Sequence, residues 1–137
     1  MNIYLDDIRI PKMSHNKDSG LGENYSKKEN WIIVRDYFEF KKLIDNNLSE
    51  INLISFDHDL ASFDHNKEFT GKDAVNYLIE KLLDTNIEFP NWYVHSDNTS
   101  GRKNIIGIIL SYLKSVENKD ISNFRYHHKG MYNGEPI

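Results

Sequence analysis

The sequence predicts a single α/β domain, a mostly parallel sheet of four to five strands with helices packed on both faces. Three observations carry this. Short apolar runs recur at 2–5, 31–34, 51–56 and 91–96. The second, third and fourth runs are each followed by residues repeating at helical spacing, and strand–helix alternation implies right-handed βαβ units. Each apolar run also stops abruptly in polar or charged residues, which places charge on one edge of the sheet. The domain spans 1–137, with a core over about 1–116 and a last strand and tail in 117–137.

Taken in order, Asn2 to Leu5 reads as a short strand ending in Asp6 and Asp7. Residues 8–30 are polar, carry Pro11, Gly20 and Gly22, and show no helical period. They read as a loop where a crossover helix is expected, long enough to serve as a lid over a site. Trp31 to Val34 is a second strand, followed by Arg35. Asp36 and Glu39 then have the spacing of an N-cap and its N3 partner, and Tyr37, Phe40, Leu43, Ile44 and Leu48 continue as a helix face.

The third strand opens the stretch Ile51-Asn52-Leu53-Ile54-Ser55-Phe56, which is apolar enough to be buried on both faces. Asp57, His58 and Asp59 follow it directly. Residues 61–69 read as a polar loop closing on Thr70-Gly71-Lys72-Asp73, another capping box. Ala74, Val75, Leu78, Ile79, Leu82 and Leu83 then give the clearest helix. After Pro90, Trp92, Tyr93 and Val94 form a fourth strand that ends in His95-Ser96-Asp97-Asn98. The last long helix has Ile105, Ile106, Ile109, Leu110, Leu113 and Val116 on its apolar side, with Gly107 inside it as the mark of a close contact. Residues 124–127 read as a final short strand.

Composition narrows the function classes. With 39% hydrophobic and 28% charged residues, the chain is an ordinary soluble globular domain. It has no cysteine, so disulfides and thiolate zinc sites are excluded. A formal charge of −4 argues against an extended DNA-binding surface, though not against recognition of one phosphate. The opening residues lack the basic start and long apolar run of a signal peptide, and no stretch has the length of a membrane span. The expected location is therefore cytoplasmic, with the N-x-S/T matches at Asn24, Asn47 and Asn98 taken as chance.

Parallel strands bring the polar strand ends together. The first contributes Asp6, Asp7 and Arg9; the second, Arg35; the third, Asp57, His58 and Asp59; the fourth, His95, Ser96 and Asn98. Taken singly, Asp6-Asp7 is a turn initiator and each histidine a hydrogen-bonded, half-buried side chain. Taken together, Asp6, Asp7 and Asp57 form an oxygen-only set suited to Mg²⁺, Mn²⁺ or Ca²⁺, unless Arg9 or Arg35 neutralises them instead. A histidine beside a phosphate or metal-bound water suits general acid–base work. Residues 96–101 precede the last helix, with Asn98, Thr99 or Ser100 as its cap, and its free N–H groups suit an anion.

Four segments recur together here: Leu5-Asp6-Asp7-Ile8-Arg9-Ile10-Pro11, Ser55-Phe56-Asp57-His58-Asp59-Leu60, Thr70-Gly71, and His95-Ser96-Asp97-Asn98-Thr99-Ser100-Gly101. In this order the chain resembles the cyclic-phosphate-processing receiver-like family, a divergent branch of response-regulator receivers. The resemblance implies a flavodoxin-like, three-layer fold and action on 2′,3′-cyclic phosphate ends of RNA or nucleotides. It implies Asp6, Asp7 and Asp57 as ligands of Mg²⁺ or Mn²⁺, with Asp57 the central carboxylate. His95, with His58 as the alternative, would be the acid, and Arg9 would stabilise phosphoryl charge. Arg35, Ser96, Asn98 and Gly101 would hold substrate. A signalling receiver phosphorylated on Asp57 and a catalytically silent module binding RNA ends or nucleotides are the alternatives. The lysine that receivers carry after their fifth strand has only Lys129 as a counterpart.

Overall fold

A computed structural model describes residues 1–11 and 30–122 in full, and the backbone of 123, 125–127 and 130–132. The long segment expected as a loop and lid falls almost wholly at 12–29, outside the described residues, as does Lys129.

The elements follow the hydrophobic pattern. Strands β1 (Asn2–Leu5), β2 (Trp31–Val34), β3 (Leu53–Phe56) and β6 (Asn91–Val94) pair in parallel, in the spatial order β2-β1-β3-β6. Helix α1 (Tyr37–Asn47) follows β2, α2 (Gly71–Leu83) follows β3, and α3 (Thr99–Ser115) follows β6. The α/β fold with a parallel four-stranded core is thus as the sequence predicts. Register aligns the strand ends: Leu5 pairs with both Val34 and Phe56, and Phe56 with Val94. The ladder runs one residue further, with Asp6 N–H donating to Val34 O, Asp57 N–H to Leu5 O and His95 N–H to Phe56 O. Asp6, Arg35, Asp57 and His95 therefore stand in one row at the carboxyl edge.

Alternation along the strands divides their side chains. Ile3, Leu5, Ile54, Phe56, Trp92 and Val94 join the main core with Phe40, Ile44, Leu78, Ile105 and Ile109 of the three helices. Tyr4, Leu53 and Tyr93 belong to a second cluster with Trp31 against it. The three described helices thus share one face of the sheet. Ser55, two residues after Leu53, lies on the other face, as do Asp6, Asp57 and His95 by the same alternation.

Caps fix where the helices begin. Asp36 accepts from Glu39 N–H, but Glu39 reaches back to Arg35 N–H, so this capping box closes one residue early. Thr70 and Asp73 make the full box at α2. Such caps are worth about 1 kcal/mol each. Asn98 caps α3 by accepting from Gly101 N–H.

Four expectations change. Residues 61–69 are not a loop but a hairpin, β4 (Ser62–Asp64) and β5 (Lys67–Phe69), turned by His65 and Asn66 at positive φ. Ser62 Oγ anchors it by accepting from Tyr37 N–H. The end of the sheet is a second hairpin, β7 (Arg125–His127) and β8 (Gly130–Tyr132), with β8 antiparallel to β6, which makes six strands. Leu83, the last residue of α2, and Val116, the C-cap residue of α3, are exposed, while Leu82 and Leu113 stay buried. A Cβ built on Gly107 would meet nothing within 4 Å, so this glycine marks no close contact.

Candidate active site at the carboxyl edge of the sheet

The sequence Asp6-Asp7-Ile8-Arg9 turns sharply after β1. Asp6 Oδ1 accepts from the N–H groups of Ile8 (3.0 Å) and Arg9 (2.8 Å). Its Oδ2 accepts from Arg9 Nε at 2.9 Å and faces His95 Nε2 at 3.0 Å. Asp6 is fully buried. The turn-initiator reading of Asp6 is therefore correct. Burial alone would raise its pKa; the bonds from His95, Arg9 N–H and Ile8 N–H, together with the imidazole's charge, hold it well below the usual carboxylate range.

His95 is 2% exposed, its ring stacked on Tyr4 with centroids 4.4 Å apart and planes 7° off parallel. Nδ1 meets Ser55 Oγ at 2.6 Å. An ionised Asp6 can only accept, so Nε2 carries a proton. Ser55, His95 and Asp6 have the connectivity of a nucleophilic triad. All three are buried, so the chain of bonds lies beneath the surface of the edge. Both His95 nitrogens are engaged, Nδ1 with Ser55 and Nε2 with Asp6.

His58 is placed differently. Its N–H donates to Asp57 Oδ1 at 2.8 Å, and its Nδ1 pairs with Asp59 Oδ1 at 2.8 Å. The side chain is 16% exposed, and Nε2 has no hydrogen-bond partner among the described residues. Gly101 makes room for the ring: a Cβ there would come within 2.3 Å of His58 Cγ. Gly71 has the same duty toward the backbone, since its Cβ would lie 1.8 Å from Asp57 O. Gly101 thus serves the site sterically, and its N–H is used by the Asn98 cap.

A cleft of about 320 Å³ opens beside this row, lined by Asp7, Asp57, Asp59, Asp97, Arg9, Ser96, Asn98 and Ile8. Arg9 spans three carboxylates: Nε to Asp6, Nη2 to Asp57 Oδ1 at 3.6 Å and Nη1 to Asp97 Oδ2 at 3.3 Å. Burial would lower the guanidinium's pKa, but the charges of Asp6, Asp57 and Asp97 raise it, so it stays cationic. Asp57 is 4% exposed. Burial, then the charge of Asp6, push its pKa up against the pull of His95 and Arg9. Asp7 is raised by burial and by Asp6. Asn98 Nδ2 donates to both Asp59 oxygens at 3.3 Å, and Ser96 Oγ accepts from Asn98 N–H.

Arg35 is elsewhere. Its Nη1 donates to the carbonyls of Asp6 (3.3 Å) and Arg9 (2.6 Å), so it braces the turn rather than lining the cleft. Asp97 and Ser55 were not singled out from the sequence. Ser55 had a signal, a hydroxyl inside an apolar strand two residues before Asp57 on the same face. Arg102, 3% exposed, donates to Ser96 O at 2.8 Å and fixes the loop before α3.

The carboxylates are not equally free to hold a cation. Among the described residues, the acidic and imidazole atoms lying within 4.8 Å of one another belong to Asp6, Asp57 and His95, not to the expected Asp6, Asp7 and Asp57. Asp6 has no lone pair to spare, because four donors already occupy its oxygens. Asp57 and Asp7 do suit the task. Both face the cleft, burial pushes the pKa of both up, and Asp57 Oδ2 accepts no hydrogen bond from the described residues.

Comparison with known proteins bears on the same residues. A family model described as "Cyclic-phosphate processing Receiver domain" matches residues 1–111, which include every strand end in the row. No curated protein and no solved structure matches significantly. No helix among the described residues is long and apolar enough to cross a membrane.

Proposed function

The chain belongs to the cyclic-phosphate processing receiver domain family, and from that premise we propose that it is a phosphoesterase. Its substrate would be a 2′,3′-cyclic phosphate end of RNA or of a nucleotide, handled with Mg²⁺ or Mn²⁺. The observation that carries this reading is Arg9. One guanidinium, fixed by Asp6, sits in a cleft otherwise lined by carboxylates, by the polar Ser96 and Asn98, and by Ile8. That is a place for a phosphate once the carboxylate charge is balanced.

Asp57 and Asp7 would hold the cation, which when bound neutralises the cleft and polarises a phosphoryl oxygen. Arg9 stabilises the charge that builds on the other phosphoryl oxygens as water attacks. The departing ribose oxygen needs a proton, and His58 is the residue proposed to deliver it from Nε2. The ring acts as the imidazolium: Nδ1–H donates to Asp59, which orients it, and the Nε2 proton is the one given up, leaving the neutral imidazole. His95 is a positioning residue: it holds Asp6, and Asp6 holds Arg9. Asn98, bonded to Asp59, keeps the dyad against the start of α3.

Steady-state kinetics on a nucleoside 2′,3′-cyclic phosphate separate the two histidines. His58→Ala should lower kcat by about 10²- to 10⁴-fold, the range of general acid–base catalysis, while the melting temperature barely moves. His95→Gln should lower the melting temperature and raise KM more than it lowers kcat, because its effect reaches substrate through Arg9. A silent His58→Ala, with kcat lost in a fully folded His95→Gln, would reverse the assignment.

A further inference from the structure

Arg9 is held unequally at its two ends. At one end Nε lies 2.9 Å from a fully buried Asp6 oxygen, and the residue's own N–H bonds the other oxygen. Its carbonyl is gripped by Arg35 at 2.6 Å. At the other end the contact to Asp57 is 3.6 Å, an ion pair without a hydrogen bond, and the partner Asp97 is 61% exposed. The guanidinium is therefore tethered at Asp6 and loosely applied to the cleft. Asp57, the acid it touches loosely, is 4% exposed, lines that cleft and keeps Oδ2 free of bonds from the described residues.

Resting on the reading that this cleft takes a divalent cation and a phosphate ester, we propose that Arg9 is a tethered counter-ion that yields Asp57 when the cation enters. While the cleft is empty of other cations, Arg9 offsets the charge of Asp57 and Asp97. Two positive charges cannot both sit against one carboxylate without repelling each other. The cation takes Asp57, and the guanidinium, kept near by Asp6, turns to the phosphate. Cation binding is thereby weakened by Arg9, and phosphate binding by Arg9 is strengthened by the cation. The arrangement makes the order of binding cation first, anion second.

The test is calorimetric and needs no turnover. Mn²⁺ and Mg²⁺ are titrated into the wild-type chain and into Arg9→Gln, and inorganic phosphate is then titrated with and without metal. A neighbouring charge shifts the proton affinity of a carboxylate by about tenfold or more, so Arg9→Gln should bind the cation about tenfold more tightly. The same variant should lose the gain in phosphate affinity that metal confers on the wild type. Arg9→Lys keeps the charge and the reach to Asp6 but is too short to span Asp57 and Asp97. It should fall between the two, and it serves if Arg9→Gln melts far below the wild type. Equal or weaker cation binding in folded variants overturns this inference and leaves the proposed function standing. No cation binding in any of the three proteins overturns the metal reading itself, and this inference with it.

Discussion

Asp6 and Asp57 stand one strand apart in the same row, and they are treated in opposite ways. Asp6 receives four donors and is held as an anion well below the usual range. Its contribution to stability is present above the unfolded carboxylate value of about 3.9 and is lost as pH falls through its lower folded value. Asp57 has one main-chain donor and a distant guanidinium, and burial raises its pKa. Its charge therefore costs stability at neutral pH, a cost that disappears as acid protonates it in the folded state. Asp57→Asn should accordingly raise the melting temperature at pH 7, and the gain should shrink as pH is lowered toward about 4. Thermal melts across that range check it. A gain independent of pH, or a loss, would mean the Asp57 charge is not the burden described here. Stability sacrificed at a polar site is what functional residues usually show.

At the scale of elements, the helix starts do most of the positioning, and glycines decide how closely they approach. The start of α2 lies against the Asp57–His58 backbone, with Gly71 N–H donating to His58 O at 2.7 Å. Gly71→Ala would drive a methyl into a main-chain carbonyl 1.8 Å away, which cannot move as a side-chain end can. The expected loss is about 1–3 kcal/mol, the usual range for overpacking. Gly107→Ala should do the reverse. It lies mid-helix in α3, exposed, with open space around it, so alanine should add about 0.5–1 kcal/mol by helix propensity alone. Urea denaturation of both variants measures the contrast. The sequence made the helices readable because Tyr37, Phe40 and Ile44, or Ala74, Leu78 and Leu82, recur at one period. It hid the hairpin at 62–69, whose strands are three residues long and whose His65-Asn66 turn lacks the usual glycine. It also misled at Gly107, since a glycine inside a helix shows no neighbour in one dimension.

For the whole molecule, topology was the most legible property and side-chain direction the least. Parallel strands in matched register are enough to bring Asp6, Asp57 and His95 to one edge, and the apolar runs predicted that without coordinates. Which of the converging groups turn inward is set by two-residue alternation combined with the turns that follow. Asp6 and His95 turn into a sealed chain with Ser55, while Asp59, Asp97 and Asn98, on the loops, face the cleft. Arg35 was legible as a strand-end cation, but nothing in the chain order tells that it spends itself on two carbonyls. The converging groups thus separate into a buried frame and a cleft surface.

The central claim is that this surface turns over cyclic phosphates rather than storing a phosphoryl group on Asp57. The direct measurement is ³¹P NMR of the purified chain with a nucleoside 2′,3′-cyclic phosphate and Mg²⁺, run beside an incubation with a small phosphodonor. The account predicts a growing phosphomonoester signal, abolished by Asp57→Asn, and no durable acyl phosphate in the donor sample. An unchanged cyclic phosphate, together with a stable, base-labile phosphoryl group on Asp57, would contradict it and identify a signalling receiver.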